Sequence, residues 1–281
     1  MNSIELKANA KVNIGLQVKD QREDGYHNIH TVFQEVDLHD TIILKKIDKG
    51  WKIKISESQI PPDESNSCIQ AYLAVKKQFP TIDGISITLK KRIPSGAGLG
   101  GGSSDAAATL KGLKEIYGLT IGNEILFQIA GKIGADVPFF ISGGTQIGNG
   151  IGDILSPINK PVLGFYLLVV PDIFISTPWA YKALKKHLKE DTGRINFADI
   201  LNEYNLSNVI FDNDFERIVI PTYPKIGEIK KGLIEIGAKY ASLSGSGSTV
   251  FGIFDEEAIA KKAESYFQKQ YLTFLCKPAN I

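Results

Sequence analysis

The sequence predicts an α+β protein of two domains, and three observations carry that expectation. A length of 281 residues is close to twice the ~150 residues of a usual domain. Period-2 strand patterns and 3.6-period helical patterns mix in both halves of the chain. Pro157 and Pro161 punctuate the middle, so the expected domains are residues 1–158 and 159–281. Hydrophobic content of 43% and charged content of 22% are those of an ordinary globular protein. A net charge of +1 supplies no general field for nucleic acid or an anionic membrane. Cys68 and Cys276 are too few for a disulfide framework. The opening Met1–Lys7 lacks the apolar core of a secretory signal, and no apolar run is long enough to span a bilayer. These features predict a cytoplasmic protein without nucleic-acid or membrane partners.

The first strand is the clearest element. Ile4, Leu6, Ala8, Ala10, Val12, Ile14, Leu16 and Val18 alternate with polar or small residues. Lys11 and Asn13 then share its polar face, ~7 Å apart by strand rise. Arg22–His27 is a charged turn holding an aromatic and a histidine. Ile42–Leu44 and Trp51, Ile53, Ile55 read as a hairpin about Asp48-Lys49-Gly50. A loop at Ile60–Asp63 precedes a helix from Asn66 to Gln78, and Ile85, Ile87 and Leu89 mark the next strand. The basic runs Lys90-Lys91-Arg92 and Lys185-Lys186 read as solvated surface, the first with a weak steering role for an anion. Ala107, Leu110, Leu113 and Ile116 share one helical face. Leu126, Ile129, Ala130 and Ile133 share another, with Asn123 as its expected cap. Further on come a buried-type strand at Phe165–Val170 and a helix start at Thr177-Pro178. Helix, strand, a serine-glycine loop, strand, helix and strand complete the chain. His30, His39 and His187 show no metal-ligand spacing, and no metal site is expected from side chains.

The most informative stretch is Pro94–Ala108, Pro-Ser-Gly-Ala-Gly-Leu-Gly-Gly-Gly-Ser-Ser-Asp-Ala-Ala-Ala. It places five glycines in the seven residues 96–102, between a strand and a helix. A bare main chain entering a helix N-terminus presents N–H groups and the positive end of the helix dipole, which suits phosphate. A single glycine would fit an ordinary turn, but three in succession each add ordering entropy. No Gly-Lys-Ser/Thr follows, so the loop is not of Walker A type. Gly96, Gly98 and Gly101 satisfy G-x-G-x-x-G, yet a second helix follows where a dinucleotide fold needs a strand.

Four segments together resemble the GHMP small-molecule kinases. They are Ala10–Leu16 with Asp24–His27, the loop Pro94–Asp105, Gly134–Pro138, and Leu243–Ser248, and their order and spacing extend the likeness over essentially the whole chain. The resemblance implies an α+β two-domain GHMP kinase fold, with a ribosomal-S5-like N-terminal domain that binds ATP and a ferredoxin-like C-terminal domain. It implies ATP on Pro94, Ser95, Gly96, Ala97, Gly98, Leu99, Gly100, Gly101, Gly102, Ser103 and Ser104, with Mg²⁺ carried mostly by ATP oxygens and water. Ser103 and Ser104 also read as helix caps. The Asp-Gly-Tyr-His segment beside Lys-x-Asn points to members that phosphorylate a cytidylated polyol in isoprenoid precursor synthesis.

The same resemblance assigns roles. Asp136 accepts or orients the attacking hydroxyl, and Lys11 neutralises charge at the transferring phosphate. By residue pattern alone, Asp136 would read as a cap of the turn before Pro138; for Lys11 the alternative is a surface lysine on an edge strand, against which stands its place with Asn13 as a polar interruption of a long amphipathic strand. Asn13, Tyr26 and His27 are implied to hold the acceptor substrate, the last two through its cytosine. Tyr181 resembles the aromatic covering the other face of that base, although its spacing from Leu184 also suits a core position. The chain departs from the family pattern at Asp63–Ser67, which leaves the adenine contact unassigned, and at Asn149, which leaves details of the substrate phosphate contact unassigned. Two other readings remain: a superfamily kinase acting on mevalonate, homoserine or a sugar, and a nucleotide-binding module without catalysis.

Overall fold

The computed structural model describes residues 1–158, 162–184 and 212–279. Pro161, Lys185, Lys186 and His187 lie outside these residues. The chain forms two compact units, neither continuous in sequence. One takes Met1–Ala10, Leu38–Ser95 and Gly100–Gly143; the other takes Lys11–Asp37, Gly96–Leu99 and Gly144–Ile281. Two long strands, β1 (Ser3–Gln21) and β2 (His27–Ile47), contribute residues to both.

The first unit adds β3 (Trp51–Ile55), α1 (Ser67–Gln78), β4 (Gly84–Lys90), α2 (Gly101–Ile116), α3 (Asn123–Ile133) and α4 (Val137–Ser142). The expected hairpin between β2 and β3 does not form. Instead β4 lies between them, antiparallel to β2 from Thr41↔Lys90 to Ile47↔Gly84 and parallel to β3 from Trp51↔Ile85 to Ile55↔Leu89. This arrangement pairs both main-chain edges of the buried strand, which a hairpin of its neighbours would leave open on one side. Gly84 permits it, since a Cβ there would stand 2.4 Å from the Lys49 carbonyl carbon. Buried Ile69 and Val75 of α1 and Ala107, Leu110 and Leu113 of α2 build the helical side of the core. Gly112 brings α2 onto the strands, because a Cβ there would come within 2.6 Å of Leu44 Cδ1 and 2.8 Å of Leu6 Cδ1. Asn66 caps α1 by accepting from the Cys68 N–H. The cap expected at Asn123 is absent: Asn123 is already helical, Gly122 precedes it, and no side chain bonds the helix end.

The second unit adds β5 (Thr145–Asn149), β6 (Ile154–Pro157), β7 (Phe165–Val170), α5 (Thr177–Leu184), α6 (Glu216–Thr222), α7 (Pro224–Ile236), β8 (Tyr240–Leu243), β9 (Val250–Phe254), α8 (Glu257–Phe267) and β10 (Leu272–Cys276). β5 pairs antiparallel with β2 through Thr31–Gln34 and with β6 on its other edge. The order β10-β7-β9-β8, antiparallel throughout, is the ferredoxin-like arrangement. Leu167, Val169, Ile229, Leu233, Val250, Phe254, Ala263 and Phe267 fill its core. Among the described residues no helix is long and apolar enough to cross a membrane.

Candidate active site

The glycine loop is built by inward and outward alternation. Ala97 and Leu99 bury their side chains, while Gly96, Gly98 and Gly100 take φ of +69°, +80° and +71°. In the second unit three successive carbonyls of the loop are held by protein donors. The Thr249 N–H donates to Ala97 O at 3.2 Å, the Ser244 hydroxyl to Gly98 O at 2.9 Å, and the Lys11 N–H to Leu99 O at 3.0 Å. The acceptor edge of residues 97–99 is thus turned into the protein, and the N–H edge is the one suited to an anion. No side chain could share the space at Gly98, where a Cβ would stand 2.2 Å from Ser244 O. In the first unit α2 begins at Gly101 behind a left-handed Gly100, with no side-chain cap and no acidic residue in its first turn. The capping expected of Ser103 and Ser104 is therefore corrected. Both lie inside the helix, and the Ser104 N–H already donates to Gly100 O. The uncapped end keeps its dipole available to a ligand.

Lys11 and Asn13 are not on a solvated face: they are only 4% and 1% exposed. Lys11 Nζ donates to Asn13 Oδ1 at 2.7 Å, Asn13 Nδ2 to Thr31 Oγ1 at 3.0 Å, and Thr31 Oγ1 to Gly15 O at 2.7 Å. The chain of bonds fixes the ammonium in one place. A Cβ on Gly245 would lie 3.6 Å from Asn13 Oδ1, 3.6 Å from Gly98 O and 3.7 Å from Lys11 Nζ. The bare main chain of Gly98 and Gly245 thus meets Lys11 and Asn13 at one point of the second unit. Ser246 Oγ lies 2.9 Å from Thr177 Oγ1, the first residue of α5.

One turn along α5, at Tyr181, the aromatic residues also come together. His27 is buried at the start of β2 and stacks on Tyr181 with ring centroids 5.0 Å apart and planes 19° from parallel. Tyr181 is half-buried, and its ring also meets Phe215 edge-on at 4.9 Å. Tyr26 is 60% exposed in the turn that precedes β2. The three rings of Tyr26, His27 and Tyr181 thus supply both a buried stack and a solvent-facing aromatic. His30 donates from Nδ1 to Asn149 Oδ1 at 2.7 Å, and burial lowers its pKa while this bond works against the shift. Asn149 thereby acquires a partner that its departure from the family pattern gave no reason to expect. Asp136 is a partly exposed residue of the first unit immediately before α4, and its carboxylate makes no capping bond to that helix. Among the described residues no three His, Cys, Asp or Glu side chains converge as a metal cage.

One group next to the loop was misread from sequence. Lys91, taken with its neighbours as solvated, has a side chain only 2% exposed. Its Nζ bridges Asp40 Oδ2 at 2.5 Å and Asp105 Oδ2 at 2.8 Å. Asp40 Oδ1 accepts in turn from the N–H groups of Arg92, at 2.5 Å, and Ile93, at 2.9 Å. The trio ties the strand end before the glycine loop to the helix turn after it. Burial pushes the Asp105 carboxyl up to about 7; Lys91 pulls it down and Asp40 pushes it further up. For Lys91, burial acts against the ammonium, but Asp105 and Asp40 outweigh it and the pKa rises. Residue type could not separate Lys91 from Lys90; only the depth of the strand end does.

The arrangement suits an anionic ligand beside a fixed buried cation. Comparison with known proteins agrees. Residues 66–144 match the GHMP kinases N terminal domain and residues 181–272 the GHMP kinases C terminal. The chain is 43% identical over 270 residues to the 4-diphosphocytidyl-2-C-methyl-D-erythritol kinase of Thermodesulfovibrio yellowstonii, covering 93% of each protein. The chain belongs to the GHMP kinases. It is 42% identical over 261 residues to the kinase of the same name from Bacteroides fragilis, covering 90% of this chain and 93% of that one. A crystal structure of 4-(cytidine 5'-diphospho)-2C-methyl-D-erythritol kinase superposes with a TM-score of 0.85 at 30% identity, covering 98% of each chain. A homoserine kinase from Cytophaga hutchinsonii shares the fold, with a TM-score of 0.72 at 20% identity over 99% of this chain and 95% of that one. The fold is the two-domain GHMP kinase fold, and the chain is a small-molecule kinase that uses ATP.

Proposed function

We propose that the chain transfers the γ-phosphoryl group of ATP to the 2-hydroxyl of 4-diphosphocytidyl-2-C-methyl-D-erythritol, a step of non-mevalonate isoprenoid precursor synthesis. The observation that carries this reading is the likeness to kinases of that name at 43% and 42% identity over nearly the full chain. The meeting of Lys11, Asn13, Gly98 and Gly245 gives it a chemical basis. Phosphoryl transfer passes through a loose transition state, so positioning and charge neutralisation do most of the work. The glycine loop Pro94–Ser104 takes the phosphates on its N–H groups and on the open end of α2. Lys11, locked by Asn13, holds a positive charge where negative charge must be stabilised. Asp136 orients the attacking hydroxyl and receives its proton. Tyr26, His27 and Tyr181 bind the cytosine ring by stacking and edge contacts. Mg²⁺ supplies additional neutralisation of the phosphate oxygens. It would come with the nucleotide, held mostly by ATP oxygens and water. Residues 1–158 and 159–281 are the proposed functional halves, and the cytoplasm the proposed compartment.

The direct test is ADP formation by the purified chain with a panel of acceptors: the cytidylated erythritol, mevalonate, homoserine and a hexose. Turnover with the cytidylated compound alone is the expected result. Turnover with mevalonate or homoserine and none with the cytidylated compound overturns the assignment.

A further inference from the structure

Residues Asn213–Glu216, absent from every motif read in the sequence, reach both halves of the proposed binding chemistry within the second unit. Asn213 is 1% exposed, and both ends of its side-chain amide are used. Nδ2 donates to Leu243 O and to Gly245 O, each at 2.8 Å, and Oδ1 accepts from the Phe215 N–H at 3.0 Å. Glu216 Oε1 adds bonds from the Leu243 N–H at 2.8 Å and the Ser242 hydroxyl at 3.0 Å. Together they fix both sides of Leu243, where β8 gives way to the serine-glycine loop, and Asn213 alone reaches into that loop at Gly245. Asp214 Oδ2 accepts from the Val18 N–H at 2.8 Å, which anchors the segment to β1. Phe215, 1% exposed, turns its ring the other way, edge-on to Tyr181 at 4.9 Å and 88°. Tyr181 is the ring stacked on His27.

We infer that Asn213 and Phe215 are positioning residues for two different substrates: Asn213 sets the serine-glycine loop, whose Ser244 hydroxyl holds the glycine loop at Gly98 O, for ATP, and Phe215 sets the Tyr181–His27 pair for the cytidine moiety. The inference rests on the proposed function for the identity of the two ligands. Its physical basis is the directionality of the contacts. A buried amide whose two N–H bonds both end on the carbonyls of one loop determines that loop's conformation, because each carbonyl left unpaired in the interior is costly. An edge-to-face pair determines the tilt of the second ring, since the quadrupoles favour one perpendicular arrangement. Neither residue is placed in contact with a substrate; each acts through the group it holds.

The test compares Asn213→Asp and Phe215→Leu with the parent enzyme. Asn213→Asp keeps the shape and sets an acceptor against two carbonyls; Phe215→Leu keeps an apolar side chain and removes the ring edge. Asn213→Ser and Phe215→Met serve where the first pair does not fold. KM for ATP and for the cytidylated acceptor are measured separately, beside direct calorimetric titrations with ATP and with cytidine diphosphate. The expected result is a crossed pattern. The Asn213 variant loses about tenfold or more in apparent affinity for ATP and changes less than about twofold for cytidine diphosphate; the Phe215 variant does the reverse. A residue that merely supports the fold would lower the amount of active enzyme and leave both KM values alone. That outcome, or equal changes in both ligands for both variants, overturns the inference. A parent enzyme that ignores the cytidylated acceptor refutes the proposed function instead, and the ATP titration still decides the role of Asn213.

Discussion

Replacing Asp105 by Asn changes how stability responds to pH, and the size follows from the buried trio. Asp40 and Asp105 share one lysine, so full ionisation would leave a net negative charge among side chains that are 0%, 3% and 2% exposed. Uptake of one proton removes that charge; burial, with Asp40 adding to it against the pull of Lys91, raises the Asp105 pKa from 3.8 to about 7. The folded state then binds a proton that the unfolded state releases near 3.8. A carboxyl raised in this way contributes stability that is complete below pH 4, declines as pH climbs toward 7, and is gone above it. At ~1.4 kcal/mol per tenfold change in proton affinity, the whole effect is roughly 4 kcal/mol, of which roughly 2–3 kcal/mol falls between pH 5 and 7.5. That is a sizeable part of the ~5–15 kcal/mol of an ordinary domain. Asn keeps an oxygen for Lys91 and cannot titrate. Urea unfolding of the parent and Asp105→Asn at half-unit steps of pH measures the difference. The stability of the parent relative to the variant should fall by that amount over this range. Parallel curves from pH 5 to 7.5 would refute the shared-proton reasoning, since every other titrating group is common to both proteins.

The remaining predictions concern the site itself. Gly98→Ala forces a Cβ to 2.2 Å from Ser244 O at φ +80°. Left-handed strain of ~1–2 kcal/mol adds to the clash, and KM for ATP should rise at least about tenfold; an unchanged KM would mean that phosphate does not rest on this part of the loop. Asp136→Asn should retain ATP binding by calorimetry while kcat falls by about 100-fold or more, and near-normal turnover removes it from the reaction. Lys11→Met should likewise depress kcat more than it weakens either substrate, as expected for a charge used at the transition state. His27→Ala should raise KM for the cytidylated acceptor and leave KM for ATP within about twofold, with parallel rises arguing for a general loss of packing.

Much of the fold was legible because its signals are local. The alternation of Ile4–Val18, the helix ending at Gln78 and the order helix, strand, loop, strand, helix, strand from Lys225 onward all report short-range chemistry, and each stands where the pattern put it. What failed was pairing. Nothing between Ile42 and Ile55 shows that β4, thirty residues on, will take the place between β2 and β3. At the site, the glycine loop was legible because so many glycines have few other uses. Lys11 stood out as a polar interruption of the first strand, but its burial was not foreseen, since a polar residue on an alternating strand ordinarily faces water. Lys91 and Asn213 were missed for a shared reason. Each is an unremarkable polar residue in sequence, and only its partners 14 to 51 positions away make it structural.

The placement of β3 has a consequence for the protein outside its chemistry. As the outermost strand beside β4, it leaves one row of amide and carbonyl groups without a neighbouring strand in the first unit. Such a border can recruit a foreign chain and seed aggregation. Trp51, Ile53 and Ile55 are half-buried, while Lys52 and Lys54 stand exposed between them. Two like charges along so short a margin repel an approaching copy of the same strand, and exchanging both for threonine would turn a guarded border into an adhesive one.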